Sequence, residues 1–157
     1  HRPQNADSPQ RLAAILAGLS AAGEPVFLAL HPRTRLTIER EGLAAGLAPS
    51  LILAEPVGYL ESLALTRNAR AVVTDSGGLQ KEAYVLGTPC VTLRDSTEWV
   101  ETVTAGWNRL VDADPQALLT ALAAPPPQGE REPFYGDGRA GERIAAAAFA
   151  FLEKRLV

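Results

Sequence analysis

The sequence predicts an α/β domain built on a parallel sheet with helices on both faces. Short apolar runs alternate with helix-period segments along the chain, the pattern of parallel strands joined by crossovers. Polar clusters (His31, Glu55, Asp75-Ser76 and Arg94-Asp95) follow four successive strand-like runs. Ligands in such sheets gather beyond the carboxyl ends of the strands. Third, Val72-Val73-Thr74-Asp75-Ser76-Gly77-Gly78-Leu79-Gln80-Lys81-Glu82-Ala83 reads as strand, glycine turn and helix. These are the marks of a Rossmann-like sheet.

Taken in order, Ser8-Pro9 provides a cap and a first-turn proline for a helix with Leu12, Ile15, Leu16 and Leu19 on one face, stopped by Gly23. Val26 to Leu30 reads as a buried parallel strand, and a helix is expected from His31-Pro32-Arg33 to about Ala45. Leu51 to Leu53 forms the next strand, and Gly58 to Thr66 a helix with Leu60, Leu63 and Ala64 on one side. After the glycine turn a helix runs to Leu86 and exits at Gly87-Thr88-Pro89; Val91 to Leu93 is a strand, followed by the polar loop from Arg94 to Glu98. A short helix spans Trp99 to Val103, Arg109 to Val111 is the last strand, and Pro115 opens another helix. Pro125-Pro126-Pro127 and its neighbours read as a solvated loop, Phe134 to Gly138 as a compact turn, and residues from Ala140 to Leu156 as a terminal helix.

Composition narrows the function. At 157 residues, 46% hydrophobic and 21% charged, the chain has the balance of one globular domain. A net charge of −3 argues against nucleic acid as a partner, because phosphate neutralisation needs a basic face. The apolar runs fall short of the roughly 18 residues of a membrane span, so no membrane partner is expected. A single Cys90 excludes an internal disulfide, fits a reducing cytoplasm and reads as core filling.

At the glycine turn, Asp75 or Ser76 can cap the helix, while Gly77-Gly78 lets a ligand approach the backbone. Amides at such a helix start, with the positive end of the macrodipole behind them, suit a phosphate. Glu82, one turn on, could accept from a ribose diol. An ordinary capped turn is the alternative.

Six segments, in order, resemble the non-hydrolysing UDP-N-acetylglucosamine 2-epimerases: His1-Arg2-x-x-Asn5, His31-Pro32, Glu55-Pro56 with Tyr59-Leu60, Thr74 to Ala83, Arg94-Asp95-x-Thr97-Glu98 onward to Gly106, and Tyr135-Gly136-Asp137-Gly138-x-Ala140. The resemblance implies one domain of a glycosyltransferase-B-type architecture, with residues 1–157 as its UDP-binding carboxyl-terminal domain and 139–157 as the terminal helix. In that family a strand precedes the His-Arg segment, so an amino-terminal domain and a first strand are expected outside this sequence. The implied reaction inverts C2 of UDP-GlcNAc by eliminating and re-adding UDP. By resemblance His1 is catalytic, and Arg2, His31, Ser76, Gly77, Gly78, Glu82, Arg94 and Glu98 bind the UDP-sugar, with no cofactor and no metal. The intact protein is expected to be a homodimer, and the isolated piece inactive. Trp99-Val100 stands where the family usually has Arg-Pro, a variant similar to relatives acting on diacetamido uronic acids. Lys81 replaces a frequent Glu at a position expected to be exposed and tolerant. A nucleotide-sugar glycosyltransferase and a UDP-binding module without chemistry are the alternatives.

Overall fold

A computed structural model describes residues 2–153; His1, the expected catalytic residue, lies outside them. Among the described residues five strands are β1 (Val26–Ala29), β2 (Leu51–Ala54), β3 (Val72–Thr74), β4 (Cys90–Thr92) and β5 (Asn108–Leu110). The helices are α1 (Pro3–Ala6), α2 (Pro9–Ser20), α3 (Pro32–Arg40), α4 (Tyr59–Asn68), α5 (Gly77–Leu86), α6 (Val100–Thr104), α7 (Pro115–Ala123) and α8 (Ala140–Glu153). All strand pairings are parallel, as the alternation predicts, but the strands form two groups, β1–β2 and β3–β4–β5.

Helices cover both faces of the three-stranded group. Strand side chains alternate between faces, so Val91 joins Leu12, Ile15, Leu16 and Leu118 beneath α2 and α7, while Val72 and Cys90 pack with Ala83 of α5. Burial pushes the Cys90 thiol up to about 12, fitting the core role read from the sequence.

Four expectations need correction. Helix α3 ends at Arg40, not near Ala45, because Gly42 and Gly46 take positive φ values of 64° and 79° and turn the chain. The short α1 was not foreseen; its four residues are too few for a periodic signal. Strand β1 is not buried on both faces: its residues alternate between half-buried and exposed, and Phe27 is 47% exposed. The apolar side expected of α4 is likewise largely open, with Leu60 and Ala64 exposed and Leu63 half-buried, while Thr66 is its buried residue. Phe27 and Ala64 line the same cavity between the two strand groups.

Candidate functional site

The site is built at the carboxyl end of β3. Ser76 caps α5: its Oγ accepts from the Leu79 N–H at 3.4 Å and its carbonyl from the Gln80 N–H at 3.1 Å. Its own N–H donates to Thr74 Oγ1 at 3.0 Å. These bonds leave the Gly77 and Gly78 amides, the orphan donors of the first turn, for a ligand. The Ser76 amide, committed to the Thr74 hydroxyl, is not among them.

Asp75 does not cap the helix. Its buried carboxylate accepts from the Arg2 N–H at 3.0 Å and Asn5 Nδ2 at 3.2 Å. Asn5 Nδ2 also donates to the Leu93 carbonyl at 3.0 Å, so α1 is tied to the ends of both β3 and β4. Arg2 is thereby held beside the glycine turn.

The Arg94 loop closes over the same point. Arg94 donates two bonds to Glu98, at 2.8 and 3.1 Å, and Arg2 Nη2 lies 3.7 Å from Glu98 Oε1. The hydrogen bond from the Arg94 guanidinium holds the Glu98 carboxyl down at about 2. Trp99 Nε1 donates to the Gly77 carbonyl at 2.7 Å. A Cβ placed on Gly77 would meet Glu98 Oε2 at 3.4 Å, Trp99 Nε1 at 3.5 Å and Arg2 Nη2 at 3.8 Å. Three side chains thus converge on Gly77 at ordinary van der Waals distances.

A buried polar chain supports this arrangement. Gln80, fully buried in the first turns of α5, accepts at Oε1 from Thr97 Oγ1 (2.6 Å) and Asn108 Nδ2 (3.2 Å). Asn108 also donates to Thr102 Oγ1 at 3.2 Å and accepts from Thr92 Oγ1 at 2.7 Å. Gln80 Nε2 has no partner, so the chain is satisfied at one end only. Sequence reasoning passed over Gln80 and Asn108, because a polar residue in a helix or strand carries no signal of burial.

His31 caps α3 through Nδ1, which accepts from the Arg33 N–H at 3.2 Å, so a neutral ring carries its proton on Nε2. His31, Ser76, Gly78 and Glu82 line one cavity, with Pro56 and Ser62 from the far side. The predicted residues thus fall into two sets: Arg2, Gly77, Arg94 and Glu98 converge, whereas His31 and Glu82 share the cavity. Glu55 pairs with Arg35 at 2.9 Å and is not a lining residue.

Lys81 departs from expectation. It is half-buried, with Nζ 4.6 Å from the centroid of Trp99 and 4.8 Å from that of Tyr135. Tyr135 donates to Glu101 Oε1 at 2.9 Å, and burial together with that carboxylate raises its phenol pKa. The loop read as solvated is in fact anchored at its far end: Arg131 donates to the Tyr84 and Val85 carbonyls at the end of α5, and Tyr84 stacks on Phe134 at 5.6 Å. Among the described residues no cluster of three or more His, Cys, Asp or Glu could hold a metal, and no helix is long and apolar enough to cross a membrane.

Parallel strands joined through helices, with a serine-capped, glycine-opened helix at the carboxyl end of β3, place the chain in the class of Rossmann-like α/β domains. The chain belongs to the UDP-N-acetylglucosamine 2-epimerase family, whose model matches residues 1–148. It is 44% identical over 150 residues to the UDP-2,3-diacetamido-2,3-dideoxy-D-glucuronate 2-epimerase of Pseudomonas aeruginosa, covering 92% of this chain and 41% of that protein. It is 40% identical over 152 residues to the UDP-N-acetylglucosamine 2-epimerase of Methanocaldococcus jannaschii, again covering 92% and 41%. The crystal structure of the M. jannaschii enzyme in complex with UDP-GlcNAc and UDP superposes with a TM-score of 0.84 at 36% identity, covering 96% of this chain and 43% of that one. The chain therefore spans about two fifths of the length of these relatives. The fold agrees with the Rossmann-like half of a glycosyltransferase-B-type epimerase expected from the sequence.

Proposed function

We propose that this chain is the UDP-binding, carboxyl-terminal part of a UDP-sugar 2-epimerase that converts UDP-GlcNAc to UDP-ManNAc. The observation that carries the reading is the glycine turn: two uncommitted amides at the start of α5, with Arg2, Arg94 and Glu98 gathered beside them. Elimination of UDP leaves negative charge on the diphosphate, and preorganised amides and guanidinium groups lower the energy of that leaving group. Gly77 and Gly78 N–H and the Ser76 hydroxyl hold the diphosphate, and Glu82 accepts from the ribose hydroxyls. Arg2 and His31 line the cleft near phosphate and sugar, and the Arg94–Glu98 loop lies beside the sugar. His1 belongs to this chain, whereas the base at C2 is supplied by the other domain of the intact protein, so this piece alone binds UDP without turning over the sugar. Family membership and the ligands named for the M. jannaschii enzyme support this reading.

A second reading, a diacetamido uronic acid as the sugar, is favoured by Trp99. Its bond to the Gly77 carbonyl shapes the turn next to the sugar-side loop, and the P. aeruginosa relative is named for such a substrate. In this proposal the intact protein works as a homodimer in the cytoplasm; the buried free thiol of Cys90 fits the reducing compartment.

Calorimetric titration of the chain with UDP tests the binding half, with Glu82→Ala expected to weaken affinity about tenfold through the lost charged hydrogen bonds. Absence of UDP binding would support a scaffold module. Incubating the full-length protein with UDP-GlcNAc and with its diacetamido uronic acid counterpart, followed by proton NMR, decides the sugar. Transfer of the sugar to an acceptor would support a glycosyltransferase. Sedimentation velocity of the full-length protein tests the dimer.

A further inference from the structure

Just past β5 the chain takes a backbone conformation that is unfavourable for its residue. Asp112 has a φ of 49°, and among the described residues it is the one non-glycine residue with positive φ. A side chain there crowds its own backbone, so the conformation persists only where neighbouring bonds enforce it.

Two sets of bonds hold Asp112. Its N–H donates to the Arg94 carbonyl at 3.3 Å. Its carboxylate takes both terminal nitrogens of Arg11: Nη1 donates to Oδ2 at 3.1 Å, and Nη2 donates to Oδ1. A two-pronged bond of this kind fixes the plane of the guanidinium. The Asp112 side chain is 41% exposed, and solvent limits what such a pair adds to stability, so its larger consequence is geometric.

The pair sets the direction of a buried amide. Arg11 turns Nε and Nη2 toward Asn5, whose Oδ1 accepts from them at 3.2 and 3.1 Å. A guanidinium carries donors alone, so the amide oxygen must face it and the amide NH2 must face away. That NH2 donates to Asp75 Oδ2 at 3.2 Å and to the Leu93 carbonyl at 3.0 Å. Reversed, the amide would set its oxygen against two other acceptors in a buried place, with no proton between them. Asp75 Oδ2 in turn accepts from the Arg2 N–H at 3.0 Å. The series Asp112, Arg11, Asn5, Asp75, Arg2 therefore ends at the guanidinium that lies 3.7 Å from Glu98 beside the glycine turn. Through its N–H, Asp112 also holds the backbone of Arg94, whose side chain binds the same Glu98.

We infer that Asp112 is a positioning residue: from its left-handed turn it sets, through Arg11, Asn5 and Asp75, where Arg2 stands for a phosphate at the glycine turn. The inference rests on the UDP reading above, and Asp112 itself touches no ligand in it. An arginine already held in place loses less freedom when the ligand arrives.

Asp112→Gly in the intact protein tests it, because glycine keeps the turn and removes only the carboxylate. The urea midpoint should stay at or above that of the unaltered protein, while UDP affinity by calorimetry falls about fivefold. Asp112→Asn tolerates the same φ and keeps one acceptor, and should recover affinity to within about twofold of the unaltered protein. In an Arg2→Ala background, Asp112→Gly should bring no further loss, since the two residues act in series. Unchanged affinity in Asp112→Gly, additive losses in the double variant, or a loss accompanied by a lower urea midpoint would each overturn the inference. Nuclear magnetic resonance without ligand gives a separate reading. The Asn5 side-chain amide protons should exchange slowly in the unaltered protein and fast in Asp112→Gly, and equal rates would overturn the inference as well. If the unaltered protein binds no UDP, the UDP reading falls, and the Asn5 signals decide the hold of Asp112 on Asn5 by themselves.

Discussion

The two strand groups contain similar residues and differ in how far they are covered. In the three-stranded group, β4 is buried at every position and β3 at two of three, with helices on both faces. In the two-stranded group, β1 alternates between half-buried and exposed although Val26, Phe27 and Leu28 are as apolar as Val72 and Val73. Hydrophobicity qualifies a segment for a buried strand, but neighbours on each edge and face determine whether it is one. The candidate phosphate turn rides on the more fully buried strand group and His31 on the more open one, so the better-packed part of the site is the part proposed to meet the diphosphate.

The largest effect that would break this contrast is Asn108→Ala. It removes bonds to Thr92, Gln80 and Thr102 inside a buried network, and urea unfolding should show a loss of about 3 kcal/mol. A loss within the range of an ordinary surface substitution would mean that the more fully buried group does not depend on its polar core. Ser76→Ala should cost about 1 kcal/mol of stability from the lost cap. Because the same residue borders the proposed diphosphate position, it should also weaken UDP binding about tenfold by calorimetry. Phe27→Ala sharpens the comparison from the other side. In the 157-residue chain its ring is half exposed, and the cost should stay under about 1 kcal/mol, against the 3–5 kcal/mol of a fully buried phenylalanine.

The smallest effect concerns pH. The folded-state pKa of Glu98, about 2, lies below the ordinary carboxylate value. A depressed carboxylate contributes above its unfolded pKa and loses that contribution as pH falls through its folded pKa. The Arg94–Glu98 clamp should therefore persist unchanged from neutral pH to about pH 4, with a Glu98 carboxyl titration midpoint near 2 by NMR. A midpoint at the ordinary glutamate value would show that the pair is open in solution.

Much of the site was legible because its signals are local. Ser76 and Pro9 act within one helical turn, and the glycine pair at 77–78 marks a helix start by chemistry alone. Asp75 was misassigned as a possible cap because its partners, the Arg2 N–H and Asn5, are some seventy residues away in sequence. Lys81 illustrates the same limit: its spacing says exposed helix surface, yet the Trp99 and Tyr135 rings come in from distant loops to flank it.

By itself the sequence determined the alternation of strands and helices, the caps and the glycine turn, since backbone propensity and hydrophobic period act over a few residues. Tertiary structure alone decided that Arg2, Glu98 and Trp99 converge on Gly77, that Gln80 and Asn108 are buried, and that the strands form two groups with a cavity between β1 and β3. Those outcomes depend on which strand edges meet, and edge pairing joins residues that no local pattern connects.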